Sequence, residues 1–423
     1  MADNTAFSLL KQRSIGTTRA VFQHALSVQP PQLNDQTPQS LYIHIPFCTH
    51  KCHYCDFYSI VDTRDRQEKF ASRLVRELIA QSKLAPLPLR TIFVGGGTPS
   101  LLRPDLWTQI LDALHDHFDM SAIDANEGEF SVECNPETVT QELANVLRSG
   151  SVNRASLGAQ SFNAAHLKTL ERWHDPEKVS SAINTLQQAG IKRCSLDLIY
   201  AIPGQTIEHL NNDLQTALSM PIEHISAYAL TYEPGTAMTA RLVRGEFTQA
   251  PDELEAEMYD HTIATLRSNG FERYEVSNHS RPGAQCMHNL AYWRQQDWLA
   301  IGPSASGHFQ QHRWKNTPRL DDYLNTDDEG FAPICDHEPP NARRELMDLL
   351  MTTIRLSEGT DAISVMQAAD QLNASQKLMR AAIMCADQGW IRNANSERWT
   401  LSDQGFLFAD RVAREFIGAL IED

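Results

Sequence analysis

The chain has 423 residues, 42% of them hydrophobic, which is enough for one large domain plus a smaller one without help from disulfides. A formal net charge of −16 argues against nucleic acid or an anionic membrane surface as the main partner, because both demand clustered lysine and arginine. No run of about 18 apolar residues is present, so no integral membrane span is expected.

Residues 1–40 lack sustained periodicity and end in the Pro/Gln-rich VQPPQLNDQTPQS, which reads as a flexible tail. Lys11, Arg13 and Arg19 among scattered Ser and Thr give it a faint likeness to a mitochondrial transit segment; Asp3 and weak amphipathicity favour a cytoplasmic protein. From Leu41, strand-like apolar runs at 41–45, 91–94, 130–134, 154–158, 194–200 and 224–231 alternate with helical periodicity, as in FASRLVRELI and PEKVSSAINTLQQAG. Six such units predict an α/β fold around a parallel sheet, a partial (β/α)6 TIM-like barrel with ligands at the C-terminal ends of its strands. In the first strand Leu41, Ile43 and Ile45 share one face, which turns Tyr42 and His44 inward. The same alternation sends Asp197 inward between Leu196 and Leu198. A carboxylate there is costly unless it binds something or anchors hydrogen bonds.

Three of the eight cysteines fall within eight residues, as Cys48-x3-Cys52-x2-Cys55. Three thiolates on a short loop suit a soft metal. They can hold three corners of a cuboidal iron–sulfur cluster with its fourth iron open, or zinc with His50 or His53 as fourth ligand. A structural disulfide fits less well, since nothing marks the chain as secreted. Past the second strand, Gly95-Gly96-Gly97-Thr98-Pro99 lets backbone N–H groups approach a ligand but matches neither a dinucleotide fingerprint nor a phosphate loop. Further polar residues sit at or near strand ends: Glu133 in SVECNP, Gln160 in LGAQSF, Arg172 in LERWH, Asp197 in SLDLIY and Tyr228 in SAYAL. Carboxylates and an amide suit hydroxyls and an ammonium, and a guanidinium grips a carboxylate in a fork.

With Tyr54 before the last cysteine, this spacing resembles the signature of radical S-adenosylmethionine (SAM) proteins. YIHIPFC, GGGTP, VECNP, GAQSF and the IPGQT loop at 202–206 stand in the order found in oxygen-independent coproporphyrinogen III oxidases and their relatives, a resemblance covering residues 41 to about 310. It implies that Cys48, Cys52 and Cys55 hold a [4Fe-4S] cluster whose open iron binds SAM. It also implies that Tyr42, Gly96, Gly97, Thr98, Glu133, Gln160, Arg172, Asp197, Tyr228 and Leu230 line the SAM pocket. Two features choose the branch. The oxidases carry a further cysteine two residues after the last ligand, where this chain has Phe57, and HNLAYW at 288–293 resembles the H-N-x-x-Y-W motif of heme chaperones. That branch implies a protein that binds heme, carries the cluster and SAM, lacks oxidase activity and passes heme to respiratory membrane proteins. A flavodoxin or ferredoxin-type reductant is expected on the resemblance alone, and a homodimer stays open. Oxidative decarboxylation of coproporphyrinogen III is the competing reading, against which Phe57 and HNLAYW stand.

The motif has its own chemistry. His288, or Cys286 as thiolate, can ligate heme iron, and Tyr292 with Trp293 offers flat apolar area; equally, His288 and Asn289 can brace the segment that closes the barrel. Cys134, Cys194, Cys335 and Cys385 read as free thiols. The barrel with its closing extension is expected over 41–320, an acidic Pro-containing linker over 321–341, and a winged-helix-like module without a basic recognition face over 342–423.

Overall fold

In the computed structural model, which describes residues 14–28 and 39–421, the chain opens with β1 (Gly16–Thr17) and α1 (Thr18–Val28). Five strand–helix units follow: β2 (Ser40–Ile45) with α2 (Gln67–Ser82), β3 (Thr91–Gly96) with α3 (Pro104–His117), β4 (Glu129–Cys134) with α4 (Gln141–Ser149), β5 (Arg154–Gln160) with α5 (Glu177–Gln188), and β6 (Arg193–Tyr200) with α6 (Ile207–Leu218). Then come β7 (His224–Ala229) and α7 (Asp252–Ser268). The six predicted strands are all present. They lie side by side in parallel, in sequence order.

Strand alternation explains why the sheet holds a polar centre. Leu41, Ile43, Ile92, Val94, Phe130, Val132, Leu157, Leu196 and Ile225 point outward under the helices and are fully buried. The alternate positions face the other way, and the parallel register sets Thr91 beside Glu129, Ser131 beside Arg154, Ser156 beside Ser195, and Asp197 beside Ser226.

The sheet is larger than the expected six strands. Beyond β7 it continues through β8 (Glu272–Arg273) and β9 (Asn278–Ser280). After α8 (Met287–Trp293), β10 (Trp298–Ile301) joins the opposite side, followed by β11 (Ser306–Phe309), β12 (His312–Asn316), α9 (Leu320–Asn325) and β13 (Pro333–Glu338). The thirteen strands run β1-β13-β12-β11-β10-β2-β3-β4-β5-β6-β7-β9-β8. β10 is a seventh parallel strand, paired with β2, and β11, β12, β13 and β1 are antiparallel.

Two expectations change. Residues 321–341 are not a linker: β13 is a strand of the sheet, Tyr323 of α9 donates to Glu77 of α2 at 2.7 Å, and the acidic residues that suggested solvation are tied to arginines, with Arg66 to Asp321 at 2.7 Å, Arg76 to Asp327 at 2.9 Å and Arg19 to Asp328 at 3.1 Å. Residues 14–28 are not a tail, because α1 buries Val21, Phe22 and Ala25 and sets Phe22 edge-on against Trp314, 5.1 Å between centroids. Ser40, at the end of the expected tail, already belongs to β2, and residues 1–13 and 29–38 lie outside the described residues.

Residues 342–421 form α10 (Ala342–Thr353), α11 (Ala362–Gln371), α12 (Ser375–Asp387), α13 (Asp403–Leu407) and α14 (Ala409–Gly418), with an antiparallel pair between Thr360–Asp361 and Arg398–Trp399. Arg273 binds this module to the barrel, stacking 3.5 Å over Phe406 and pairing with Asp403 at 3.1 Å. Among the described residues, no helix is long and apolar enough to cross a membrane.

Candidate cofactor site

The cysteine loop is pinned at both ends before any ligand arrives. Phe47–Cys48 pairs in parallel with Ile60–Val61, and the Ile60 N–H donates to the Pro46 carbonyl at 2.8 Å. From the neighbouring strand, Gly97 N–H donates to Ile45 O and Thr98 N–H to Phe47 O, each at 2.8 Å, while Thr98 Oγ1 lies 3.5 Å from Cys48 Sγ. This contact explains the glycine: a Cβ on Gly97 would lie 2.7 Å from the Phe47 carbonyl oxygen, and the cysteine loop would have to move.

Arg172 Nη1 stands 3.7 Å from Cys52 Sγ, and its Nη2 donates to the Gly158 carbonyl at 2.8 Å; its buried Nε has no protein partner. Burial pushes the Cys55 thiol up to about 11 and moves Cys48 the same way. Among the described residues no three His, Cys, Asp or Glu side chains converge as on a single metal ion. Donors to a cuboidal cluster stand further apart, and three partly exposed thiols on one cavity wall suit it. His53 is engaged elsewhere, its ring 3.2 Å from Arg241 Nη1, and His50 stacks on Trp173 at 4.2 Å.

The cavity lies at the C-terminal ends of the strands and encloses about 1280 Å³. Cys48, Cys52 and Cys55 line it beside Gly96, Gly97 and Thr98, and so do Glu133, Gln160, Arg172, Asp197, Tyr228 and Leu230. Gln160 shares the cavity face of β5 with Ser156 and Gly158, at the strand end where the register with β6 shifts between Gly158 and Gln160 and φ at Gln160 is +64°. The open backbone at Gly95 and Gly158 leaves room for polar groups: a Cβ would lie 2.8 Å from Glu133 Oε2 in the first case and 2.8 Å from Gln160 Nε2 in the second. Glu133 accepts from Gly96 N–H at 3.0 Å, and Ser156 donates to Asp197 at 3.2 Å. Burial, then the neighbouring Asp197 charge, pushes the Glu133 carboxyl up to about 7; burial also raises Asp197.

Two expected residues stand apart from the lining. Tyr42 sits one layer deeper, its hydroxyl 3.0 Å from His44 Nδ1 and its ring stacked on Phe93. His288 lies elsewhere: its ring pairs with Thr91 Oγ1 at 2.8 Å and stacks on Phe93, at the N-terminal end of β3 and the far end of the barrel from the cysteines, and its buried Nε2 has no protein partner. It is 2% exposed and does not line the cavity. The bracing role is the one its surroundings fit, for Cys286 Sγ and the Met287 and His288 N–H groups all donate to Glu129 at 3.2–3.4 Å, and Asn289 donates to the Tyr274 hydroxyl at 3.3 Å. Sequence reading also missed that Phe406, Leu407, Phe408, Arg411 and Arg414 of the C-terminal module line the same cavity. The two arginines, three residues apart on α14, were the available signal.

Comparison with known proteins agrees with this geometry. The Radical SAM superfamily model matches residues 42–217. Heme chaperone HemW of Lactococcus lactis is 37% identical over 90% of this chain and 98% of its own length, and HemW of Mycobacterium tuberculosis is 34% identical over 90% and 95%. The structure of the radical SAM enzyme coproporphyrinogen III oxidase (HemN) from Escherichia coli superposes with a TM-score of 0.79 at 20% identity, over 97% of this chain and 98% of that one, and so shares the fold. The chain belongs to the radical SAM superfamily, in the family whose curated members are named heme chaperone HemW.

Proposed function

We propose that this chain is a cytoplasmic heme carrier that holds a [4Fe-4S] cluster on Cys48, Cys52 and Cys55, binds SAM beside it, and hands heme to respiratory membrane proteins, with a flavodoxin or ferredoxin-type protein as reductant. Kinship with proteins named heme chaperones over nine-tenths of the chain is the observation that carries the heme reading. A cluster with an open iron supplies one-electron chemistry to SAM. The protein's own part is positional. Arg172, with one N–H unpartnered, suits the SAM carboxylate; Glu133 and Asp197 suit its ammonium and ribose hydroxyls, and Gln160 adds an amide.

Phe57, 64% exposed, stands where the oxidases have a cysteine, and it neither ligates nor transfers a proton. The test is an anaerobic sample with quantified cluster, given SAM, reductant and coproporphyrinogen III, then titrated with hemin. Saturable hemin binding without porphyrin product supports the carrier. Sustained multiple-turnover product makes the protein an oxidase, and absence of hemin binding removes heme as cargo.

The Glu133 carboxyl gives a pH prediction. With its folded pKa near 7, the acid is mostly protonated at pH 6, and the cationic, hydroxyl-bearing ligand needs the carboxylate. SAM affinity should therefore rise up to about tenfold between pH 6 and pH 8 and stay flat in Glu133→Gln, measured by calorimetric titration. The stability sign is opposite. A raised carboxyl favours the folded state below its unfolded value of about 4.3, and this is lost as pH rises through 7, so Glu133→Gln should melt higher than the parent at pH 8 without ligand.

A further inference from the structure

The cavity is larger than a SAM-sized ligand requires, since pockets for drug-sized molecules run to about 1,000 Å³ and this one encloses about 1280 Å³. Its solvent-facing walls are unusual for this surface. Among the described residues twelve large hydrophobic side chains stand exposed, and five of them line this one cavity: Phe57, Trp173, Tyr228, Leu407 and Phe408. Trp173 is 72% exposed and carries the stacked His50 ring, whose Nε2 is buried without a partner. Scattered apolar residues on a surface mean little, but a concentration around one opening marks a site for a flat apolar ligand.

Charge narrows the ligand further. The chain is strongly acidic, yet α14 presents Arg411 and Arg414 to this cavity. Arg414 makes no ion pair among the described residues, and Arg411 is paired only within its own helix, with Glu415 at 2.7 Å. The adjacent Asp410 is taken up by Arg355 at 2.7 Å. Two guanidiniums one helical turn apart beside an aromatic wall match a planar ring that bears two carboxylates on one edge.

Resting on the heme reading above, we propose that heme is seated in the solvent-facing part of this cavity, its ring against Trp173, Phe57 and Phe408 and its two propionates toward Arg411 and Arg414. The C-terminal module then forms one wall of the cargo site. The anchorage of α13 through Arg273 and Asp403 keeps that wall in place.

The test uses full-length, cluster-loaded protein titrated with hemin and with hemin dimethyl ester, whose carboxylates are blocked. R411A/R414A changes two exposed side chains, so the fold should survive, and unchanged iron content and SAM affinity verify this. Hemin should bind about fivefold more weakly to R411A/R414A, while the dimethyl ester binds parent and variant alike. Trp173→Ala should weaken both probes. Parent-like hemin affinity in R411A/R414A, or equal losses for hemin and the ester, overturns the propionate placement, and parent-like affinity of Trp173→Ala for both overturns the ring placement. A parent protein that binds no hemin fails at the heme reading itself, a result distinct from these.

Discussion

Serine at Cys48, Cys52 or Cys55 is expected to reduce bound iron from about four per chain to near none after anaerobic reconstitution, with inorganic sulfide falling in step. Each thiol occupies one corner of a three-cornered donor set, and the neutral serine hydroxyl is a poor ligand for iron in a sulfur-rich site. The loop itself should remain in place. Its ends are held by the Phe47–Cys48 and Ile60–Val61 pairing and by the Thr98 N–H bond to Phe47, none of which involves a thiol. Melting temperature of the cluster-free protein should therefore shift by no more than a few degrees, since the three thiols are only partly buried. Cys194→Ser is the control. That thiol is buried near the start of β6 and does not line the cavity, so the substitution should lower stability while iron content stays at the parent level. Full iron loading of Cys52→Ser would remove that residue from the donor set.

How much of this was legible depended on whether the signal was local. Leu41, Ile43 and Ile45 alternate with Tyr42 and His44, and that two-residue period is enough to locate a strand and both of its faces. The same period in Ser195-Leu196-Asp197-Leu198 placed Asp197 in the cavity. β10 escaped notice because Trp298–Ile301 is only four residues long, and no helix pattern follows to mark a repeat. β13 was hidden by composition: Asp321, Asp327 and Asp328 look solvated in the sequence, and only the fold supplies Arg66, Arg76 and Arg19 from far upstream to pair with them. His288 shows another limit. A motif names a branch without saying at which end of a barrel it lies, and the contacts that decide this come from Thr91 and Glu129, more than 150 residues upstream.

Glu129→Ala should destabilise the protein by about 3–5 kcal/mol, the largest stability loss expected of any single change discussed for this chain, read from the midpoint of denaturant unfolding. Glu129 is fully buried at the start of β4, where it faces the Arg154 guanidinium at 3.9 Å and that of Arg193 at 3.5 Å, and it accepts from Cys286, Met287 and His288. Removing it leaves the buried Arg154 charge with Ser131 as a neutral partner at 3.3 Å and strands two backbone N–H donors. Burial works against the carboxylate, but the two arginines and the Cys286 and Met287 donors prevail, so Glu129 is held below the ordinary glutamate value. Its contribution is therefore complete above about pH 4.3 and drains away as pH falls through the lower folded value, so the gap between parent and variant should close under acid. Glu129→Gln should cost less, because the amide keeps an acceptor for the backbone donors. What Glu129 holds is the N-terminus of α8, the helix that carries His288, Asn289, Tyr292 and Trp293. If the motif braces the closed end of the barrel, Glu129→Ala should raise hydrogen exchange in residues 286–293 while the cysteine loop still loads iron. Loss of iron in parallel with that exchange would mean instead that the two ends of the barrel are coupled through its polar centre.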